Sequence, residues 1–579
     1  MLTARRTPLL AAALVITLLT GLSVACGPAG EQVPPADLVL TGGKVVTVDD
    51  SVPDGEAIAI TGYTVTAVGS SSEIDAYIGD DTEVIDLEGR LVIPGFIEGH
   101  GHYTSLGRAK MILDLTRVAN WDEIVGMVEE AAQQAQPGEW ILGRGWHQEK
   151  WSEVPRPNVD GVPLHHGLSE VSPENPVNLT HASGHASFVN ALAMEMAGID
   201  RNTSDPDGGT IVKDESGEPT GLLRETAQRI VSRAIAAAGE GRTEADLDAE
   251  FREIVRLAGE EALSKGITSF HDAGSNFATI DRFKALENAG ELPVRLYVMV
   301  RRESNETMAE RLSEYRMLPE GNDFLTVRSI KRQIDGALGP HGALLLEPYI
   351  DLPDSTGLML EPIDDIKGTC DIAIEQGFQV NTHAIGDRAN REVLDIYEET
   401  FQAHPDKTDL RWRIEHSQHI HPDDLPRFAE LGVVAAMQGV HCTSDGPWVL
   451  KRLGEERAES GAYMWRTLID SGAVVTNGTD VPVEDIDPIA SYYSSVARVC
   501  FDGTVFYPDQ AMTREEALAS YTINNAYAAF EEEIKGSLTP GKYGDIVVLS
   551  QDILTIPDEE IPNTRVDYTI VGGEIRYQR

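Results

Sequence analysis

The chain has 579 residues, 41% hydrophobic and 24% charged, which fits a soluble globular protein with room for one large barrel plus additions, or for about two to four ordinary domains. Its 94 acidic against 47 basic residues give a formal charge of -47, a surface that repels nucleic acid and anionic lipid. Four cysteines, widely scattered, make neither a disulfide framework nor a zinc knot.

Met1 to Cys26 reads as an export leader. Arg5 and Arg6 form a basic start, Leu9 to Leu22 an apolar stretch, and Ser23-Val24-Ala25-Cys26 a small-residue end. The segment resembles a bacterial lipoprotein signal, which implies a lipidated Cys26 and a membrane contact through that anchor alone. Simple cleavage and release as a secreted or periplasmic protein is the alternative. No later stretch is a continuous apolar run long enough to span a bilayer.

From Ala36 to Ile93 short β segments alternate with turns at Gly42-Gly43, Thr61-Gly62 and Glu88-Gly89. The cadence returns in GKYGDIVVLSQD (from Gly541) and VDYTIVGGEIRY (from Val566), so residues 36–93 and 536–579 are expected to form one composite β-sandwich. Between them, 94–535 alternates β-like runs with helical ones. The first strand leads to a helix at Trp121 to Gln136, then to an irregular Pro-, Gly- and His-rich insertion over about 137–239. Thr243 to Lys265 has the spacing of a long amphipathic helix. Seven further β-like runs start at Gly266, Pro293, Ser329, Phe378, Leu410, Val433 and Ala473, and Thr513-x-x-Glu516 is a capping box opening a last helix at Arg514 to Phe530. Eight strands alternating with helices predict a (β/α)₈ barrel, whose catalytic groups sit at the carboxyl ends of its strands.

Those ends carry chemistry. In LVIPGFIEGHGHY, Leu91 to Tyr103, the two imidazoles of His100 and His102 are one strand period apart and reach the same side. An HxH alone also fits two core histidines near a turn. Here, however, Lys331 lies in strand four, His383 closes strand five, His416 closes strand six and Asp480 follows strand eight, so a barrel brings six such groups to one mouth.

The ordered motifs PGFIEGHGH, SGHASFVN, IDGALGPHGALLLEPY, THAIGDRAN, RIEHSQHI and TNGTDVPV resemble amidohydrolase family 3 of the amidohydrolase superfamily, from about Ala36 to the C-terminus. The resemblance implies a metal-dependent hydrolase of carbon–nitrogen bonds other than peptide bonds, acting on a small molecule such as an amide, formamide or cyclic ureide. It implies two divalent ions: His100 and His102 on the more buried, His383 and His416 on the more exposed, a CO₂-derived carbamate on Lys331 as bridge, and Asp480 as ligand and proton handler. Imidazole and carboxylate suit Zn²⁺, with Mn²⁺ or Fe²⁺ open on ligand type. A bound ion brings the pKa of water from ~15.7 toward ~7, and Asp480 could pass the proton to the leaving nitrogen. Two positions depart from the pattern. Glu98 stands where the family usually has Asp, and Lys331 is followed by Arg332-Gln333; an unmodified cationic lysine would leave a one-metal site.

Around the mouth, His185, Trp146, Arg388 and His441 are candidate substrate contacts, with His147, Asp335 and His419 as further polar groups. An ester, lactone or phosphotriester hydrolase could use the same centre, and a non-catalytic metal-binding regulatory protein is the alternative of another class. An oligomer is compatible with all of these.

Overall fold

The structure, a computed structural model, describes residues 33–579 apart from 149, 150, 160, 183, 185, 208, 240 and 241. Cys26 with its leader, and His185, lie outside the described residues.

The eight predicted strands are present as one parallel sheet in chain order: β1 Phe96–Gly101, β2 Ile267–Ser275, β3 Arg295–Val300, β4 Leu325–Gln333, β5 Gln379–Ala384, β6 Arg413–His416, β7 Val434–Gln438 and β8 Val475–Gly478. Helices cover the sheet, and its strands are buried nearly throughout, as the unbroken apolar run of β3 requires. β8 and β1 meet to make a nearly closed barrel. Asp480 N donates to His100 O at 2.7 Å, and His102 N donates to Val481 O at 2.8 Å. That approach needs glycine: a Cβ on Gly99 would lie 2.3 Å from Asn477 O.

Chain ends build two further sheets. Leu38–Thr41, Ala57–Thr61, Thr64–Gly69 and Glu83–Asp86 form one; Lys44–Val45, Leu91–Pro94, Ile546–Leu549, Val566–Val571 and Glu574–Gln578 form the other. Leu40, Ile58 and Ile60 of the first share a buried core with Val92, Ile546, Val548 and Ile570 of the second. The strand Leu91–Pro94 runs straight into β1, so this core anchors the strand that carries His100.

The insertion is not irregular, and it begins earlier than the predicted residue 137. It is a six-stranded sheet in the order Gly209–Lys213, Pro219–Glu225, Ala186–Val189, Val177–His181, Ile141–Trp146 and Leu113–Asp114. The helix read as a barrel helix, Trp121–Gln134, belongs to it: Trp121, Ile124 and Val128 pack with Trp146, Leu179 and Phe188. The predicted last helix is also broken. Its capping box forms, Glu516 N to Thr513 Oγ1 at 3.2 Å and Thr513 N to Glu516 Oε2 at 2.8 Å, but Arg514–Ser520 stops and Ile523–Ala528 restarts, because Thr522 leaves helical geometry (φ -129°, ψ -97°). No helix of the described residues is long and apolar enough to cross a membrane.

Candidate metal centre

The ligand atoms of His100, His416 and Asp480 all lie within 4.8 Å of one another. The other three predicted ligands border that trio. His102 Nε2 is 3.2 Å from Asp480 Oδ1, Lys331 Nζ is 3.5 Å from His100 Nε2, and the His383 ring packs on His416 with centroids 4.3 Å apart. Six groups from four strand ends and the turn after β8 thus gather around one point.

Each histidine reaches the cluster by a different local device. His100 follows the pleat of β1, two residues past Glu98. His416 does not follow the pleat of β6: its φ of +77° turns it to the same side as Glu415. Asp480, with φ +58°, is turned inward after β8 in the same way. Glu98, the departure from the family pattern, accepts from Thr479 N at 2.6 Å and Thr479 Oγ1 at 3.1 Å, so its longer arm fastens β1 to the turn that presents Asp480.

Partners select which nitrogen two of the rings keep. His100 Nδ1 faces Glu415 Oε2 in a short contact, which leaves Nε2 toward Lys331 and Asp480. His416 Nδ1 donates to Gln438 Oε1 at 2.7 Å, leaving its Nε2 as the lone pair. His383 Nε2 lies 3.4 Å from Asp335 Oδ1 but outside hydrogen-bond geometry, so this contact does not fix its tautomer. Asp335 is itself fixed by three backbone donors: Leu344 N at 2.8 Å, Gly386 N at 2.9 Å and Ile385 N at 3.0 Å.

Burial, with the Lys331 charge, lowers His100 to about 4, and burial pushes His383 and His416 well below the ordinary imidazole range. These rings are therefore neutral donors at pH 7. Lys331 is lowered to about 7, chiefly by burial. Burial alone would raise Glu415 and Asp480. Arg413 and His100 hold Glu415 well below the carboxylate range, and His102 with His100 does the same for Asp480. Neutral imidazoles beside a locked anion, with Asp480 Oδ1 buried and unbonded in hydrogen-bond geometry, are the donor set a divalent cation takes.

The amidohydrolase family's sequence profile matches residues 83–577. The chain belongs to the amidohydrolase family. Among relatives of this amidohydrolase, Protein LONG AFTER FAR-RED 3 of Arabidopsis thaliana is 35% identical over 94% of the chain and 92% of its own length. N-substituted formamide deformylase of Arthrobacter pascens is 27% identical over 94% of the chain and 98% of its own. Among solved structures, a metal-dependent hydrolase of Pyrococcus horikoshii OT3 superposes with a TM-score of 0.73 at 25% identity, covering 90% of this chain and 99% of that one. The amidohydrolase is accordingly a hydrolase with a metal-binding site.

The predicted substrate contacts separate. The His441 ring stacks on His416 with centroids 6.2 Å apart, and its buried Nε2 lacks a hydrogen bond. Trp146 is 1% exposed inside the insertion core, with its N–H donated to Leu179 O at 2.8 Å, so the structure places it in packing rather than at the centre. Arg388 lies on the helix Asp387–Ala403, with Nε 3.3 Å from Glu392 Oε1 one turn on. His147 packs its ring on His181, and His419 on Tyr463.

Glu415, Gln438 and Arg413 were not singled out from the sequence. Arg413 Nε pairs with Glu415 Oε1 at 2.8 Å, while its Nη2 reaches across the barrel to Gly99 O at 2.7 Å, locking the anion that orients His100. Glu415 stands directly before His416 in RIEHSQHI, and that adjacency is the signal that could have found it.

Proposed function

We propose that the protein hydrolyses the carbon–nitrogen bond of a small amide, formamide or cyclic ureide, with His100, His102, His383 and His416 holding two divalent ions, Zn²⁺ first, across a carboxylated Lys331. The observation that carries the reading is the convergence of neutral, partner-locked imidazoles on Asp480. The relationship to N-substituted formamide deformylase supports the bond class. Divalent ions at such a site supply water made acidic near neutral pH and a polarised carbonyl. Asp480, ionised and 3.2 Å from His102 Nε2, takes the proton of the attacking water and delivers it to the leaving nitrogen. An amide needs that delivery, because an amine anion is a poor leaving group. Burial leaves part of Lys331 as free amine at neutral pH, the form that adds CO₂ with release of a proton.

Metal content together with turnover on a matched amide and ester panel tests this. Two ions per chain and amide cleavage are expected, and Lys331→Ala should lower both, with partial rescue by a short added carboxylate. Full metal and full activity in that variant would exclude the bridge; turnover of esters or phosphotriesters alone would replace the bond class. We further propose export with a lipid on Cys26. An unmodified N-terminus elsewhere, by mass spectrometry of the native protein, would replace the anchor by soluble release.

A further inference from the structure

Several arginines of this acidic chain answer carboxylates: Arg295 pairs with Asp545, Arg391 with Asp424 and Arg413 with Glu415, each at 2.8 Å. Two half-buried arginines near the centre do not. Arg301 follows β3 directly, and its N–H is donated to Ser275 O at the end of β2 at 2.9 Å. Its aliphatic arm lies across Gly274, where φ is +132° and a Cβ would fall 2.4 Å from Arg301 Cδ, so only glycine leaves that path open. Nη2 then donates to Gln333 Oε1 at 2.7 Å. Gln333 ends β4 two residues beyond Lys331 and stands in register with His383 of β5.

The fork is thus laid along the rim over the ends of β2, β3 and β4, beside two predicted ligands, and is held there by a neutral amide. A neutral partner orients a guanidinium without cancelling its charge. Arg144 comes from the insertion strand Ile141–Trp146; its side chain has no ion pair or hydrogen bond among the described residues. The charges of Glu361, Asp480 and Asp272 reach Arg301, and that of Asp480 reaches Arg144.

We propose that Arg301, with Arg144 as a second cation, recognises a carboxylate on the substrate, so that the enzyme cleaves acyl derivatives of amino acids and related acids in preference to neutral amides. The proposal rests on the carbon–nitrogen hydrolase reading above. A planar fork matches a carboxylate with two parallel hydrogen bonds, and partial burial strengthens them. Gln333 is then a positioning residue. In this arrangement the acid end sits on Arg301 while the acyl bond reaches Asp480.

The test uses the zinc-loaded full chain with N-acetylglycine, N-acetyl-β-alanine and N-acetyl-4-aminobutyrate, each paired with the neutral amide in which methyl replaces the carboxylate: N-ethyl-, N-propyl- and N-butylacetamide. Wild type should favour at least one acid over its neutral partner. Arg301→Gln should lower that ratio of kcat/KM by about 10–100-fold, the worth of a charge-assisted hydrogen bond, mostly through KM. Arg301→Lys, which keeps charge and loses the fork, should lose less, and Arg144→Gln should fall between. Calorimetric binding of the same acids to the Asp480→Asn protein reads the subsite without turnover, and metal content confirms that each variant is folded. An acid-to-neutral ratio that Arg301→Gln leaves unchanged, with amides still cleaved, overturns the carboxylate site and leaves the amide reading. Acids that bind, and are lost in Arg301→Gln, with no amide cleaved, support the site and overturn the amide reading. Neither binding nor cleavage of any acid overturns the carboxylate site, and if the neutral amides are not cleaved either, both readings are overturned.

Discussion

The barrel mouth and the insertion sheet both gather buried aromatic nitrogen heterocycles, and they use them in opposite ways. At the mouth two rings spend one nitrogen on a fixed protein partner, Glu415 for His100 and Gln438 for His416, and keep the other for a shared point beside Asp480. In the insertion the nitrogens are consumed by packing. Trp146 donates to Leu179 O, and His181, edge-on to Trp146 at 4.6 Å, has Nε2 3.1 Å from Gln148 Oε1. A buried histidine is therefore a ligand candidate when an outer partner sets its tautomer and an anion faces its remaining lone pair; ring contacts alone are packing. The mouth carries desolvated charge that function requires, while the insertion holds what stability requires.

The largest break in that contrast should come from Asp480→Asn. Asparagine keeps the shape and one oxygen ligand but cannot shuttle a proton, so kcat on an amide should fall by about 10²–10⁴ while fold and most bound metal survive. Activated esters, whose leaving groups need no proton, should lose less. Near wild-type amide turnover would remove the acid–base role, and complete metal loss would make Asp480 mainly a ligand.

Glu415→Gln comes next, because it separates orientation from ligation. The variant removes the anion that locks His100 and leaves Arg413 without its carboxylate. We expect a loss of about 3–5 kcal/mol in stability, the usual cost of breaking a buried pair. Metal affinity should drop about 10–100-fold, the usual effect of removing an outer-shell partner. Chelator titration and denaturant unfolding measure the two separately. Unchanged metal affinity would reduce Glu415 to a structural anion.

How far the sequence showed this depends on which rule placed each group. The eight strands were legible because β-branched runs end abruptly at Gly, His or Asp, and His100 with His102 because the pleat has period two. His416 is outside that rule. With Glu415 adjacent, alternation gives only one of them to the mouth, and it is the positive φ of His416 that delivers both; the motif marked His416 and concealed Glu415. Asp480 was placed by motif for the same reason, its φ of +58° being invisible to periodicity. The insertion was misread because its strands, such as Ala186–Val189 and Leu113–Asp114, are short and set among Gly, Pro and His, so the sheet exists only through long-range pairing. Trp146 was a candidate substrate contact from the insertion, but its ring packs with Trp151 and Phe188 in the insertion core.

A pH series sharpens the electrostatic half of the comparison. Behind the mouth, Asp445 accepts from Gln418 Nε2 and Tyr463 OH, each at 2.7 Å, and burial raises its carboxyl to about 6. A folded value above the unfolded ~3.9 means that the fold holds the proton more tightly. That contribution is complete below about pH 3.9 and is lost as pH rises to about 6. Asp445→Asn has no such proton, so the stability of wild type relative to the variant should fall by about 2–3 kcal/mol between pH 4 and 6 and stay flat above. Unfolding at fixed denaturant across that range measures it. A gap that does not change with pH would mean that Asp445 is solvated or ionised in the fold.

The smallest effect belongs to the insertion. Trp146→Phe keeps an aromatic ring against Trp151 and Phe188 and removes the donor to Leu179 O, leaving that buried carbonyl short of a partner. The cost should be about 1–3 kcal/mol, the price of one buried unsatisfied group, and the loss should be the same at pH 5 and pH 8, because no titrating group is involved. Metal content should not change, since neither Trp146 nor its hydrogen-bond partner reaches His100, His416 or Asp480. Differential scanning calorimetry of the metal-loaded protein reads the first two expectations and elemental analysis the third. If Trp146→Phe emptied the centre or made its melting strongly pH-dependent, the insertion would be energetically continuous with the mouth, and the division between a packing sheet and a charged site would fail.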